Sequence, residues 1–504
     1  MKKVYSIAPY GLNGVLVEVE ANLSRHLPKI IIVGLPDAAV SEAKERVWAA
    51  IENSNFSFPR QKVVINLAPA QIKKEGGAYD LPIAIAILVA SGLLKEIDHN
   101  IAFIGELSLN GDLKAVPGIL VMVTSLKELG FKEVFLSSAN AKEAGVVDGI
   151  DIFPVDNLKQ LVKHLEGNQS IKPLGSRQIN FSKVKYAIDM SEIRGQSQAK
   201  RVLEISAAGG HNVLMVGPPG AGKTMLAKAF LSILPKPSLP EILETSKIYS
   251  LAGLLSEDKP IIDSHVVRSP HHSASVSAII GGGSWPRPGE ISLAHNNVLF
   301  LDEILEFPRQ VLEALRQPLE DKVITVSRVK GSFDFPANFI LIATANPCPC
   351  GFLTDKDRSC QCSAGDIKRY QKRLSGPLLD RIDLHLLLDK VDSQDLVSNK
   401  FDAESSKNIV QRIDSARQIQ KQRYEDYSFR LNCDISSKFI NKVCNISDSS
   451  CSILAQASKN LNLSARAYFK ILKVARTIAD LELKENIEDN HILEALQYRA
   501  KIFD

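Results

Sequence analysis

No apolar stretch in the 504-residue chain reaches the length of a membrane span. The longest, from Leu81 to Leu94, runs roughly 14 residues against the roughly 18 that a spanning helix needs. Charge of one sign is also scarce: 61 Lys+Arg stand against 57 Asp+Glu, a net +4. So small an excess does not by itself mark a nucleic-acid binder. The opening Met1-Lys2-Lys3-Val4-Tyr5 lacks the apolar region and cleavage site of a secretory leader, so a soluble, cytoplasmic protein without membrane contact is expected. Internal repeats and low-complexity tracts are missing too. The seven cysteines are an odd number, which argues against a disulfide scaffold. Cys433, Cys444 and Cys451 are scattered through helical-looking sequence and read as inert core thiols.

What is present is ordinary globular composition, 45% hydrophobic and 23% charged, in a chain long enough for roughly two to four domains. Residues 1–166 mix strands and helices as an α+β domain. Strands are expected at Val15–Glu20, Lys29–Val33, Val63–Leu67 and Ile101–Leu107, a helix from Asp37 to Asn53 and a buried helix from Leu81 to Leu94. Gly167 to Ser182 reads as the linker. From 183 to 392 strands alternate with helices, as a parallel α/β sheet requires. From 393 to 504 the chain is helical, with strong apolar periodicity through Ala465 to Leu483.

The central segment carries the chemistry. Val213-Leu214-Met215-Val216 reads as a buried strand, followed by Gly217-Pro218-Pro219-Gly220-Ala221-Gly222-Lys223-Thr224 and the helix-forming Met225-Leu226-Ala227. Strand, glycine loop, helix is the context that makes G-x-x-x-x-G-K-[ST] a phosphate-binding loop. Its backbone N–H groups curl around an anion at the positive helix end. Lys223 is expected on the β- and γ-phosphates and the Thr224 hydroxyl on Mg²⁺. A second apolar run, Val298-Leu299-Phe300-Leu301, ends in Asp302-Glu303. An acidic pair at a buried strand end costs desolvation unless it serves a metal or a reaction. Asp302 fits the Mg²⁺-holding role and Glu303 the base that polarises attacking water. Together the motifs predict hydrolysis of a nucleoside triphosphate, with ATP and Mg²⁺ as cofactors.

Three further residues follow in order. Asn346 ends the strand Ile340–Thr344, where its amide could hold the attacking water beside Glu303. Arg381, in Gly376-Pro377-Leu378-Leu379-Asp380-Arg381, precedes the helical region, and Arg466 opens a later helix after Leu463-Ser464-Ala465. Either arginine alone reads as a surface ion pair; the ordered set resembles an AAA+ ATPase of the magnesium-chelatase-like branch. The strings His271-His272-Ser273-Ala274, Pro286 to His295 and Val474 to Leu481 are similar to the bacterial YifB/ComM family along essentially the whole chain. The resemblance implies a ring, usually a hexamer, with ATP at subunit boundaries. Arg381 would be the finger reaching a neighbour's nucleotide, and Asn346 and Arg466 the two sensors.

Alternating residues from Lys322 to Phe335 read as a hairpin turning at Lys330-Gly331. Related helicases carry a pore hairpin at this place, so Arg328 and Lys330 are candidate contacts to a phosphate backbone; a solvated turn is the other reading. Trp285, in a glycine-rich loop with Arg287, suits either a base contact or packing. Cys348-x-Cys350 and Cys360-x-Cys362, in an insert at 347–363, present two thiol pairs on Pro- and Gly-containing turns, favouring structural zinc over reduced loop thiols. Lys368, Arg369, Lys372 and Arg373 follow as a basic helix for nucleic acid or an ordinary solvated face.

The resemblance also implies that the first domain has the Lon-protease-like fold related to ribosomal S5 domain 2. Lon-type proteolysis needs a serine and a lysine, but Ala78 and Leu120 occupy those positions, and Lys114, six residues from Leu120, has no serine to activate. The domain is expected to be non-proteolytic, with Arg60, Lys73 and Lys74 as a candidate nucleic-acid face. The resulting expectation is an ATP-driven motor on single-stranded or branched DNA, a helicase or branch-migration factor in recombination or natural transformation. A protein-remodelling or metal-chelatase ATPase that ignores DNA is the alternative.

Overall fold

The fold is that of a computed structural model, which describes residues 3–175, 186–283, 286–328, 331–355, 357–390, 404–461 and 463–499. It divides into two compact units, Met1–Ser182 with Leu239–Asp263, and Lys183–Ser238 with Ser264–Asp504.

The first unit is built on a seven-stranded mixed sheet. Lys3–Tyr10 and Asn13–Ser24 form an antiparallel hairpin in the register Tyr10↔Asn13. Asn13–Ser24 pairs onward with Lys62–Ala68, and parallel strands Ile101–Phe103, Glu133–Ser137 and Asp151–Val155 extend the other side. The helix Ala38–Asn53 starts where Asp37 accepts a hydrogen bond from the Val40 N–H at 2.8 Å, a usual N-cap. The apolar run expected to be helical to Leu94 is helical over Asp80–Ala90. It stops there because Gly92 turns left-handed at φ 80°, which a helix cannot continue through. Asp80 opens this helix while buried, held by Arg46 Nε at 2.8 Å and Nη2 at 3.0 Å. Burial pushes its carboxyl up to about 6 against the pull of Arg46. The helix Leu239–Leu251 packs on Ile119–Glu128, where the Gly118 N–H donates to Ser250 O at 2.9 Å.

The second unit holds a five-stranded parallel sheet in the order Val267–Arg268, Val298–Leu301, Ile340–Ala345, Val213–Val216, Leu384–Leu387. Val213–Val216 and Val298–Leu301 are buried throughout, as strands covered on both faces must be, which is why they read as continuous apolar runs. Register sets Val216 opposite Ala345 and Leu301 opposite Ala343, so three functional loops leave the same carboxyl edge of the sheet. Ligands in open parallel sheets bind at that edge. The C-terminal helices Ser406–Arg423, Ala465–Leu481 and Asp489–Gln497 bury Ile413, Leu472 and Ile492 in one core with Val213, Met215 and Ile342. Asp480 inside this core is bridged by Arg423 and by Arg476, which is only 1% exposed. No helix among the described residues is long and apolar enough to cross a membrane.

Candidate ATP site

The loop Gly217–Gly222 leaves the strand Val213–Val216 and enters the helix Lys223–Ala229. Gly220 and Gly222 stand at φ 83° and 84° with open space where a Cβ would lie, a conformation that side chains resist. A Cβ on Gly217 would fall 2.6 Å from Leu388 O, so this glycine is required by close approach. Gln196, which sequence patterns did not single out, ties the loop down: its Nε2 donates to Asp389 O at 2.8 Å and Ala221 O at 3.3 Å. The Lys223 ammonium is buried and donates to Gly217 O at 2.5 Å and Asn346 Oδ1 at 2.8 Å. Burial lowers its pKa, while Asp302 and Glu303 pull it back up. Among the described residues no carboxylate forms an ion pair with it. A buried ammonium satisfied by neutral oxygens is poised to take an anion such as a phosphate.

The acidic pair is wired to the same lysine. Asp302 Oδ2 accepts from the Thr224 hydroxyl at 3.2 Å, and Oδ1 from Thr344 Oγ1 at 2.5 Å. Glu303 adopts a left-handed backbone at φ 52°, and its N–H donates to Thr344 Oγ1 at 2.9 Å. Its carboxylate accepts from Asn346 Nδ2 at 3.1 Å. Lys223, Thr224, Asp302, Glu303 and Asn346 therefore form one hydrogen-bonded network, with the buried Thr344 as a hub that the sequence alone did not reveal.

Arg381 and Arg466 are brought together elsewhere. Both bond Glu320: Arg381 through Nη2 to Oε2, and Arg466 through Nη2 to Oε1 at 3.2 Å. Arg381 Nη1 also donates to Pro377 O at 2.8 Å. Among the described residues, neither arginine bonds to Lys223, Asp302, Glu303 or Asn346.

The four cysteines converge, with all Sγ atoms within 4.8 Å of one another. Cys348 lies 3.4 Å from Cys350 and 3.6 Å from Cys360. Four thiolates around a tetrahedral ion, each at about 2.3 Å, would stand about 3.8 Å apart. A backbone N–H of Phe352 pulls the Cys350 thiol down to about 6, whereas burial pushes Cys348 up to about 12. The helix Ala364–Gln371 follows, with Lys368 and Arg369 exposed. Arg373, expected with them, is tied to Glu306 at 3.0 Å.

The hairpin pairs Val323–Arg328 with Gly331–Pro336 in the register Arg328↔Gly331. Lys330 and Trp285 lie outside the described residues, as does the Arg328 side chain. In the first unit, Ala78 and Leu120 are buried and Lys114 is exposed. Lys74 departs from its expected surface position. It is wholly buried, donating to Gly34 O at 3.2 Å and to Pro69 O, because two carbonyls of the folded loop need a donor. Lys73 pairs with Glu75 at 2.8 Å.

A parallel sheet with a glycine loop and an acidic pair at neighbouring strand ends, followed by a helical C-terminal region, defines a P-loop ATPase of the AAA+ kind. Three family matches agree: "Magnesium chelatase, subunit ChlI" over residues 189–396, "Subunit ChlI of Mg-chelatase" over 19–140, and "Magnesium chelatase, subunit ChlI C-terminal" over 403–499. The uncharacterized protein YifB of Salmonella typhimurium is 41% identical over 499 residues, 99% of this chain and 96% of that protein. The competence protein ComM of Haemophilus influenzae is 40% identical over 510 residues, 99% of this chain and 97% of its own. A shorter stretch, 21% of this chain, is 31% identical to 13% of the Lon protease of Mesomycoplasma hyopneumoniae. The chain belongs to the YifB/ComM family of magnesium-chelatase-like AAA+ ATPases, and that membership implies ATP and Mg²⁺.

Proposed function

We propose that the chain is an ATP-driven ring motor, a hexamer by family analogy, that moves on single-stranded or branched DNA. Its role would be helicase or branch-migration work in recombination or natural transformation. The observation that carries the ATPase half is the closed network Lys223–Asn346–Glu303 with Thr224–Asp302–Thr344. The residues fit the nucleotide: a buried ammonium in no ion pair among the described residues, beside a loop whose Gly220 and Gly222 leave open space. ATP, when bound, supplies the phosphoryl group to be transferred, and Mg²⁺ neutralises charge developing on it. Gly217, Pro218, Pro219, Gly220, Ala221 and Gly222 cradle phosphates with Lys223, while Thr224 and Asp302 hold the ion. Glu303 accepts the proton of the attacking water, and Asn346 keeps that carboxylate aimed. Arg381 and Arg466 act as finger and sensor at a subunit boundary.

The DNA half rests on the competence role named for ComM, the hairpin Val323–Pro336 and the exposed Lys368 and Arg369. Residues 1–166 serve as a Lon-like, non-proteolytic binding or oligomerisation domain, a reading supported by the short Lon match and by Ala78 and Leu120. Residues 167–182 would link it to an ATPase core at 183–392, and 393–504 would form the lid. The Cys348, Cys350, Cys360 and Cys362 cluster holds structural zinc; their sulfur spacing fits a tetrahedral S₄ ion.

Steady-state ATPase activity with single-stranded, duplex and four-way-junction DNA, using Glu303→Gln as the blank, tests this reading. Stimulation greatest with branched DNA supports it. Hydrolysis indifferent to all three refutes the DNA role and points to a protein substrate or a tetrapyrrole-metallation partner.

A further inference from the structure

The cysteine cluster and the ATP site share one piece of chain. Asn346 contacts Lys223 and Glu303, and Cys348 follows two residues later, fully buried. The turn Cys348–Gly351 closes with the Gly351 N–H donating to Cys348 O at 2.9 Å. Gly351 is left-handed at φ 82°, and a Cβ there would lie 2.7 Å from Pro219 Cδ and 2.8 Å from Pro219 Cγ. The backbone of the cysteine turn therefore lies so close to a proline ring of the phosphate loop that no side-chain carbon fits between them. A proline ring cannot swing aside without moving its own main chain.

Two further ties run from the same insert. Gln371 Nε2 donates to Pro347 O at 3.0 Å, holding the chain between Asn346 and Cys348. Asp355, between the two cysteine pairs, binds Lys390 at 2.5 Å. The neighbouring Asp389 O accepts from Gln196, which also reaches Ala221 of the loop. The phosphate loop is thus held from one side by Gly351 and from the other by the segment from Leu388 to Lys390. Both sides are anchored through the cysteine insert. Without an ion, four thiols at this spacing lose the attraction that gathers them, and nothing covalent holds Gly351 against Pro219.

We propose that the ion held by the four cysteines is a structural zinc whose occupancy sets the nucleotide affinity of the phosphate loop. Metal loading pins Gly351 on Pro219 and aims Asn346 at Lys223. Metal loss by chelation loosens both and weakens ATP binding. The inference rests on the zinc reading above, and the test separates the two.

The full chain, purified without chelator, is assayed for zinc by atomic emission and titrated with a fluorescent ATP analogue. The zinc is then released with an organomercurial, the thiols are regenerated, and the titration is repeated before and after zinc is returned. The expected result is about one zinc per chain. Affinity should fall by about tenfold on removal and recover on reloading, within the roughly 5- to 150-fold range of linked sites. Zinc that leaves without changing affinity overturns the coupling and leaves the zinc reading standing. A zinc-free chain that binds the analogue at full strength overturns both. Gly351→Ala guards against simple unfolding of the stripped protein, because it keeps all four thiolates while its methyl pushes on Pro219. Parental zinc content and circular dichroism with about tenfold weaker analogue binding support the proposal; parental affinity overturns it.

Discussion

Replacing Thr344 by valine removes one hydroxyl from the ATP site while keeping the side chain's shape. That hydroxyl donates to Asp302 Oδ1 at 2.5 Å and accepts the Glu303 N–H at 2.9 Å. Thr344 is fully buried in the strand Ile340–Ala345, so water does not take its place. A hydrogen bond to a carboxylate is worth about 1.5–3 kcal/mol, and a stranded buried N–H costs about 1–3 kcal/mol. Glu303 also sits left-handed at φ 52°, a strain of about 1–2 kcal/mol for a residue with a side chain. Losing its N–H partner lets that strain relax and turns the carboxylate away from Asn346. Valine's better tolerance of burial offsets part of the loss in folding stability, by about 1 kcal/mol. The cost therefore falls on catalysis: kcat drops by about 30- to 300-fold, about 2–3.5 kcal/mol. Steady-state ATPase at saturating ATP and Mg²⁺, with analogue binding and a thermal melt beside it, reads the three quantities separately. Affinity should stay within about threefold, since the Lys223 contacts are untouched, and Thr344→Ser should recover most of the rate. A kcat within threefold of the parent, or a serine variant as slow as the valine one, would refute the hub role of Thr344.

Glu303→Gln keeps an acceptor for Asn346 but removes the base, so hydrolysis should fall by at least about 100-fold with nucleotide still bound; turnover near the parental rate excludes Glu303 as that base. Mixing Arg381→Ala with Lys223→Ala chains should restore part of the ATPase that each lacks alone, because one supplies the loop and the other the finger. Additive, inactive mixtures would place both groups in one protomer's site. Reversing charge with Lys368→Glu and Arg369→Glu together should flatten the salt dependence of DNA affinity by about 2 in log–log slope, read by fluorescence anisotropy; an unchanged slope removes that helix from the DNA surface. Asp80, raised from 3.8 to about 6 by burial, binds its proton more tightly folded than unfolded. Its contribution is fully present below pH 3.8 and is lost as pH rises through about 6, by up to about 3 kcal/mol. Asp80→Asn should flatten the first unit's pH–stability curve between those values, and a melt whose pH dependence is unaltered contradicts the assignment.

What the sequence disclosed was whatever chemistry is written locally. The phosphate loop was legible because its glycines and flanking apolar strand are contiguous, and the acidic pair because Asp302-Glu303 ends an unbroken apolar run. The four cysteines were legible because only fourteen positions separate the first from the last. Thr344 was invisible in its role: its partner Asp302 is 42 residues away, and a threonine in a strand is unremarkable by propensity. Glu320 joins Arg466 across 146 residues, and Gln196 reaches Asp389 across 193; no spacing rule encodes either. Lys74 misled for the opposite reason. A lysine beside Lys73 and Glu75 reads as surface, and only the folded loop, with Gly34 and Pro69 carbonyls to satisfy, makes it a core donor. The apolar run past Ala90 gave no sign of where the helix would stop except Gly92.

The division of bonds within the ATPase unit bears on how the machine is assembled. The groups proposed to hold phosphate, ion and water, Lys223, Thr224, Asp302, Glu303 and Asn346, are joined with Thr344 inside one chain. The two arginines are not in that set; they share Glu320, whose side chain is 45% exposed, as is 59% of Arg466. An exposed ion pair of this kind is worth about 0–1 kcal/mol, far less than an arginine gains on a triphosphate with its several charged oxygens. Glu320 is therefore a holding partner that Arg466 can leave at little cost when a stronger anion comes within reach, whereas Arg381, with only 15% of its side chain exposed, is held there more firmly. On the proposed ring reading that anion is the nucleotide of the adjoining protomer. Releasing Arg466 from this carboxylate would then link occupancy of one site to the side-chain state of the next, without any rearrangement of the network proposed to perform the hydrolysis.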